Sequence, residues 1–148
     1  TVEFYLQSNP GEISKPLSKI ASGGELSRLM LALKTLEIGQ GAVSTLIFDE
    51  VDAGIGGHTA VAVGERLSRI ARHQQTLCIT HLHQIAAVAD HHLAVRKMVK
   101  DGRTYLEVAE LAGEKRVDEL TRMLGATADT QPVREHLKKI MKNPIDGV

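Results

Sequence analysis

Apolar and polar positions alternate along this chain in short blocks that predict strands and helices separated by turns. Residues 2–6 alternate weakly and predict a strand, and Asn9-Pro10-Gly11 predicts the turn that ends it. Residues 13–19 contain Pro16 and have no clear period, so we expect a loop there.

Ser22-Gly23-Gly24-Glu25 predicts the start of a helix. The Ser22 hydroxyl can cap the helix while Glu25, three residues on, reaches back, which is the capping-box pattern. Apolar residues follow at helical spacing, at Leu26, Leu29, Met30, Leu33 and Leu36. We expect Gly39 and Gly41 to end this helix.

A strand, a helix and a second strand are predicted next. The apolar runs 43–48 and 76–80 lack clean alternation, which indicates strands buried on both faces. They are connected by the glycine-rich stretch 54–57 and a helix with one apolar face at 63–70. Such a βαβ unit is right-handed with parallel strands, so we predict an α/β fold with a mostly parallel sheet flanked by helices.

Polar residues follow each of these two strands. Asp49-Glu50 comes after the first strand and Thr80-His81 after the second. Because the carboxyl ends of neighbouring parallel strands lie at one edge of the sheet, we expect the two pairs side by side. Ligands of open α/β sheets bind at that edge.

The rest of the chain is predicted to form a short helix, a hairpin and two terminal helices. The expected bounds are 82–89 for the short helix, 93–99 and 103–108 for strands around the Lys100-Asp101-Gly102 turn, and 114–124 and 132–142 for the last helices, the second stopped by Asn143-Pro144. No repeat or linker divides the chain, so we expect one lobe over residues 1–148.

Composition is that of an ordinary soluble domain, with 148 residues, 43% of them hydrophobic and 24% charged. The 18 basic and 18 acidic residues balance, so charge gives no reason to invoke nucleic acid or a membrane surface. Cys78 lies in an apolar run and fits a buried thiol in a reducing cytosol. No run has the length of a membrane span. Thr1 is not a natural start, so we expect part of a longer protein.

Asp49 and Glu50 are adjacent acids after an apolar strand, which packing explains poorly. One carboxylate can hold a magnesium ion or its waters, and the other can orient or deprotonate an attacking water. An exposed acidic strand end explains the pair equally well when it is taken alone.

The other polar clusters also have two explanations. Ser22-Gly23-Gly24 lets backbone N–H groups approach an anion closely, or it is an ordinary helix cap. His81 can donate to a phosphate oxygen, or it is a solvated loop residue. His81 and His83 form an H-x-H pair, with His91 and His92 further on, so a metal site is also conceivable. The chain has no G-x-x-x-x-G-K-[ST] phosphate loop.

In combination, these motifs resemble the ABC-type ATPase head of the SMC-like family. The matching runs are a signature motif within Ala21–Arg28, a Walker B strand at Leu46–Glu50, a D-loop region at Val51–Gly57 and a switch histidine at His81. Further runs are similar to the C-terminal part of the head in bacterial DNA repair ATPases of this family, namely Asn9-Pro10-Gly11, Ile79–Leu82 and Gln84–Ala87.

The resemblance implies a head made from both ends of a long chain, with the Walker A loop in an N-terminal lobe. Asp49 would bind Mg²⁺, Glu50 would activate water and His81 would sense the γ-phosphate of ATP. The signature motif Ser22–Glu25 would face the ATP of a second head, and Asp52 would lie at this homodimer interface. The family acts on DNA at double-strand breaks, in the cytoplasm and on the nucleoid. We expect this chain alone to hydrolyse ATP negligibly.

Two features depart from the family pattern. His83 stands where proline is expected, and the stretch Ala53–Gly57 is richer in glycine than the corresponding loop of transporters. Two other functions stay open at this point. One is a metal-dependent hydrolase that uses Asp49, Glu50 and His81 together with His83, and the other is a non-catalytic docking module.

Overall fold

The computed structural model describes residues 2–7, 10–19, 22–37, 44–125 and 131–142. The elements in chain order are β1 (Tyr5–Leu6), β2 (Lys15–Pro16), a 3-10 helix (Leu17–Lys19), α1 (Gly23–Leu36), β3 (Thr45–Phe48), α2 (Gly57–Ala71), β4 (Gln75–Cys78), α3 (His83–Ala87), β5 (His92–Lys100), β6 (Arg103–Leu111), α4 (Gly113–Met123) and α5 (Gln131–Lys142). Several predicted boundary residues lie outside the described residues, namely Asn9, Gly39, Gly41, Val43, Asn143 and Pro144.

The predicted βαβ unit is present. Strands β3 and β4 pair in parallel, with Phe48 opposite Cys78, and α2 connects them. Leu67 and Ile70 of α2 pack with Leu31 of α1 and with Phe48 in the main hydrophobic core. Each such buried aliphatic side chain contributes about 1.5–3 kcal/mol. The α/β class is therefore confirmed, with a parallel sheet of two strands among the described residues.

The prediction that these two strands are buried on both faces was wrong. Ile47 is 69% exposed and its partner across the pair, Leu77, is 43% exposed. Successive side chains of a strand point to opposite faces. Leu46 and Phe48 pack on the core, so only their face of the pair is covered by the described part of the chain.

The opening segment also differs from the prediction. The strand predicted at 2–6 is reduced to β1, which pairs antiparallel with β2 inside the stretch expected to be a loop. The remainder of that stretch is the 3-10 helix. Two-residue strands are too short to show an alternating pattern, and Pro16, which lacks an N–H, limits further pairing.

Strands β5 and β6 form the predicted hairpin. Lys100 pairs with Arg103, which leaves a two-residue turn at Asp101 and Gly102. These two residues have φ of 53° and 71°, and a type I′ turn requires positive φ at both positions. Each strand has nine residues, so the hairpin is longer than predicted.

The terminal helices α4 and α5 match their predicted bounds within one residue, whereas α3 is shorter than predicted. Leu120 and Leu137 form a second core with Ala86 and Ala87 of α3. The buried guanidinium of Arg116 donates to the carbonyls of Ala86 and Ala87 at 3.0 and 3.3 Å. Helix α4 therefore holds the C-terminal end of α3 by hydrogen bonds as well as by packing.

Among the helices of the described ranges, none has both the length and the hydropathy of a membrane-spanning segment.

Candidate functional site

The three polar clusters singled out in the sequence line one groove at the carboxyl end of the β3–β4 pair. The groove has a volume of about 460 Å³. Its lining residues are Ser22, Gly23, Gly24, Asp49, Glu50, Asp52, Ala53, Ile79, Thr80 and His81. The predicted neighbourhood of Asp49-Glu50 and Thr80-His81 is therefore present, and the start of α1 lies beside it.

Ser22 caps α1, as predicted. The backbone N–H of Glu25 donates to the Ser22 hydroxyl oxygen at 3.4 Å. Such a cap typically contributes about 0.5–2 kcal/mol. Ser22 and Gly23 are exposed at the groove, whereas Gly24 is buried. The exposed part of this helix start leaves backbone N–H groups within reach of an anion.

Gly23 and Gly24 are also required by the chain's own packing. A Cβ atom at Gly23 would overlap the Glu50 carboxylate, and one at Gly24 would lie 2.9 Å from the Ala53 Cβ. The loop after β3 therefore approaches the start of α1 more closely than any larger residue would allow.

Two residues of α1 fasten this loop to the helix. The Ser27 hydroxyl donates to the Asp49 carbonyl at 2.8 Å. Arg28 Nη1 donates to the carbonyls of Val51 and Ala53 at 3.3 and 2.8 Å. No role was predicted for Ser27 or Arg28, because a serine and an arginine on a helix are ordinary surface residues until their partners are known.

Asp49 and Glu50 follow β3 and are both exposed to the groove. The Asp49 Oδ1 atom accepts a hydrogen bond from the Glu50 N–H at 2.9 Å. Glu50 has φ of 56°, a left-handed conformation that is uncommon for residues other than glycine. This backbone conformation turns the chain sharply between the two acids, and the Glu50 carboxylate lies against Gly23.

Asp52 is buried beneath the groove, only 4% exposed. Its Oδ2 atom accepts hydrogen bonds from the Thr80 hydroxyl at 2.6 Å and from the His81 N–H at 2.9 Å. Burial raises the pKa of Asp52, but these hydrogen bonds and the nearby His81 ring outweigh it and leave the pKa below its usual value. The homodimer role expected for Asp52 stays a prediction.

The two histidines of the H-x-H pair do not line the same groove. His81 lines the groove, whereas His83 starts α3 and is not among the lining residues. Burial lowers the pKa of His83, and the positive charge of His136 on α5 lowers it further. Within the described ranges, no group of three or more His, Cys, Asp or Glu side chains could hold a metal ion.

The groove therefore combines two exposed carboxylates, an imidazole and the N-terminus of a helix. Carboxylate oxygens are the ligands that Mg²⁺ prefers, and one Asp49 oxygen is already oriented by a backbone hydrogen bond. A helix N-terminus and an imidazole are suited to phosphate oxygens. This donor set fits a magnesium-bound phosphate ester.

Known proteins provide an independent comparison, although no protein-family model matches the chain. The DNA repair protein RecN of Halalkalibacterium halodurans is 48% identical over 140 residues, or 95% of this chain. RecN of Deinococcus radiodurans is 51% identical over 140 residues, and RecN of Bacillus subtilis is 45% identical over 141 residues. Over this length the chain matches RecN, which confirms the predicted resemblance to bacterial DNA repair proteins. It spans about a quarter of the length of these relatives, 25%, 24% and 24%.

A solved structure supports the fold assignment. It comes from work on the structural biochemistry of ATP-driven dimerization and DNA-stimulated activation of SMC ATPases. It is 21% identical to this chain, with a TM-score of 0.54, over 85% of this chain and 83% of the other. The prediction of an α/β lobe of the ATPase type is thereby confirmed for the fold.

Proposed function

We propose that this chain is the C-terminal lobe of an ATP-hydrolysing head in an SMC-like protein of DNA double-strand-break repair and recombination. The observation that carries the proposal is the common groove of Asp49, Glu50 and His81. Two neighbouring strand ends deliver these side chains to one place, beside the start of α1. RecN relatives are named as DNA repair proteins, which supports the biological role.

Each groove residue has a chemical role in this proposal. Asp49 holds Mg²⁺, which neutralises charge on the phosphates of bound ATP. Glu50 orients or deprotonates the attacking water, and His81 contacts the γ-phosphate. The start of α1, at Ser22 and Gly23, meets the ATP of a second head, so hydrolysis requires a homodimer. Glu25 and Asp52 belong to the same nucleotide-dependent interface.

Exposed apolar surfaces on this lobe support the proposal that it packs against an N-terminal lobe, which carries the Walker A loop. Ile47 and Leu77 leave one face of the β3–β4 pair uncovered within the described chain. The hairpin has a second such face, on which five aliphatic side chains are each more than half exposed: Leu93, Val95, Val99, Leu106 and Val108. Contiguous apolar surface of this kind marks an interaction site. We place the assembled protein in the cytoplasm, on the nucleoid when it acts on DNA.

The decisive test replaces Glu50 in the full-length protein. Glu50→Gln keeps the shape of the side chain but removes its basicity, so ATP turnover should fall about 10²–10⁴-fold. ATP-dependent dimers, measured by size-exclusion chromatography with light scattering, should persist. Glu107→Gln on the exposed hairpin is the matched control and should keep full turnover. Unchanged turnover in Glu50→Gln would remove Glu50 from its role.

Two further measurements address the other functions. A metal-dependent hydrolase would purify with stoichiometric zinc or manganese that His83→Ala releases, but His83 lies outside the groove. A docking module would bind no ATP even after the N-terminal lobe is added and both lobes are folded. We expect no bound transition metal, no turnover by this chain alone, and ATP binding once the N-terminal lobe is present.

A further inference from the structure

A buried carboxylate joins the two loops that form the groove. Asp52 follows β3, and its Oδ2 atom accepts hydrogen bonds from the Thr80 hydroxyl and the His81 N–H. The His81 ring atom Nδ1 lies 3.0 Å from the same oxygen. The Thr80 hydroxyl oxygen in turn accepts from the Leu82 N–H at 3.0 Å. One side chain therefore holds the backbone and the ring of His81 together.

The chemistry of these contacts determines which ring nitrogen remains available. The pKa of Asp52 is held below its usual value, so this carboxylate is ionised near neutral pH and can only accept hydrogen bonds. The His81 Nδ1 atom must then carry a proton. The His81 side chain is 72% exposed, so Nε2 is the nitrogen left for a ligand in the groove.

We propose that Asp52 is a positioning residue for His81, a role that rests on the ATPase function proposed above. The carboxylate fixes the ring and directs Nε2 to the terminal phosphate of the nucleotide. With Nδ1 beside Asp52, a proton on Nε2 would lie between the ring and a phosphate oxygen and would let the ring donate to it. The other ionisable groups that line the groove beside Asp52 and His81 are Asp49 and Glu50, which only accept hydrogen bonds when ionised and cannot replace His81 as a donor.

Asp52 also couples His81 to Glu50. The two acids lie on one loop, two residues apart, and that loop is held to α1 by Arg28. A shift of the loop therefore moves the Glu50 carboxylate and the His81 ring together. Carboxylates that orient a functional histidine typically change activity about 10–100-fold when they are replaced.

The test measures the His81 tautomer and ATP turnover separately. Nitrogen-15 NMR of the histidine-labelled chain, with the His81 signals assigned by their loss in His81→Gln, should show a proton on Nδ1. In Asp52→Asn the amide can donate to Nδ1, so the proton should move to Nε2. In Thr80→Val the carboxylate remains, so the Nδ1 proton should remain.

Turnover is measured on the full-length protein with Mg²⁺ and ATP. Asp52→Asn replaces a charge-assisted donor by a neutral one, so kcat should fall about tenfold or more while KM changes by less than about threefold. Asp101→Asn in the hairpin turn is the control and should keep wild-type kcat, since asparagine suits a type I′ turn.

The possible outcomes test the role of Asp52 separately from the proposed ATPase function. A wild-type His81 with its proton on Nε2 alone would overturn the proposal, as would an Asp52→Asn protein with unchanged tautomer and kcat. If Asp52→Asn fails to fold, the wild-type tautomer and Thr80→Val still decide. A wild-type full-length protein that hydrolyses no ATP would refute the proposed function, whatever the tautomer of His81.

Discussion

The carboxyl end of the β3–β4 pair is held by contacts within the chain, whereas the exposed face of the pair has no such contacts in the described residues. At the carboxyl end, Asp52, Ser27 and Arg28 tie the loops to each other and to α1. On the exposed face, Ile47 and Leu77 have no such cover in the described chain. The polar groove is therefore organised by contacts within this lobe, whereas the apolar face stays exposed in the described chain.

The largest expected effect concerns Cys78, at the end of β4 between these two regions. Burial raises the pKa of its thiol to about 12, and the negative charges of Asp52 and Asp49 contribute. Only the thiolate reacts with iodoacetamide. Three pH units above the ordinary value of 9.0 correspond to alkylation at pH 8 about a thousandfold slower than that of a free thiol.

The reaction of Cys78 should accelerate about tenfold for each unit of pH, since the thiolate fraction rises until the pH reaches the pKa. Mass spectrometry of timed samples gives the rate, with a cysteine-containing peptide as the reference. Alkylation at the rate of the peptide would mean that this side of the strand pair is open to solvent.

The second prediction concerns the hydrogen bonds that hold the groove loop to α1. Arg28→Ala leaves the carbonyls of Val51 and Ala53 without their charged donor. The free energy of unfolding should fall by about 2–3 kcal/mol, because hydrogen bonds to charged groups contribute about 1.5–3 kcal/mol each and water replaces part of the loss. The free energy of unfolding of the variant is measured by urea unfolding.

Arg66→Ala, on an exposed position of α2, is the control for Arg28→Ala and should change the free energy of unfolding by less than about 0.5 kcal/mol. Equal losses in the two variants would show that the loop does not depend on α1.

The third prediction adds one methyl group at the same contact. In Gly24→Ala the new Cβ would lie 2.9 Å from the Ala53 Cβ, so α1 and the loop must separate. We expect a loss of about 1–2 kcal/mol by urea unfolding. Gly56→Ala places its Cβ in open space and should be nearly neutral. A neutral Gly24→Ala would contradict the close approach.

The smallest effect is expected on the exposed face. Ile47→Thr should change the stability of this chain by less than about 0.5 kcal/mol, because the side chain is mostly solvated. Leu46→Thr, on the covered face of the same strand, should cost about 1–3 kcal/mol. Stability is measured by urea unfolding. Similar losses of stability in both variants would contradict the difference in burial between the two faces.

The same exposed face offers a second measurement. If the N-terminal lobe covers Ile47, then Ile47→Thr should weaken co-purification of the two lobes while leaving this chain folded. Undiminished co-purification of Ile47→Thr would place the partner surface elsewhere on the chain.

Sequence patterns predicted most of the elements because their signals are local. Ser22 was identified as the cap of α1 from its spacing to Glu25, and the Asp101-Gly102 turn from its composition. The continuous apolar runs of β3 and β4 predicted burial on both faces, which was wrong for the face of Ile47 and Leu77. They could not show that one face lacks a cover here, because the cover depends on atoms outside the strand.

Single-residue roles were harder to predict. Ser27 and Arg28 were within a recognised run, yet their partners are backbone carbonyls 22 to 25 residues away. The interface role expected for Asp52 stays a prediction, but its hydrogen bonds to Thr80 and His81 inside the lobe were not predicted. No pattern of residue types specifies a hydrogen bond to a distant backbone atom.

The motifs by themselves predicted the resemblance to DNA repair ATPases. Their order also predicted the βαβ unit and the edge of the sheet at which polar side chains meet, because strand direction follows from connectivity. Only the tertiary structure decided that Asp52 holds His81 and that Gly23 and Gly24 make room for the loop after β3. These contacts join residues 27 to 29 positions apart, and distances of an ångström or less decide whether they form.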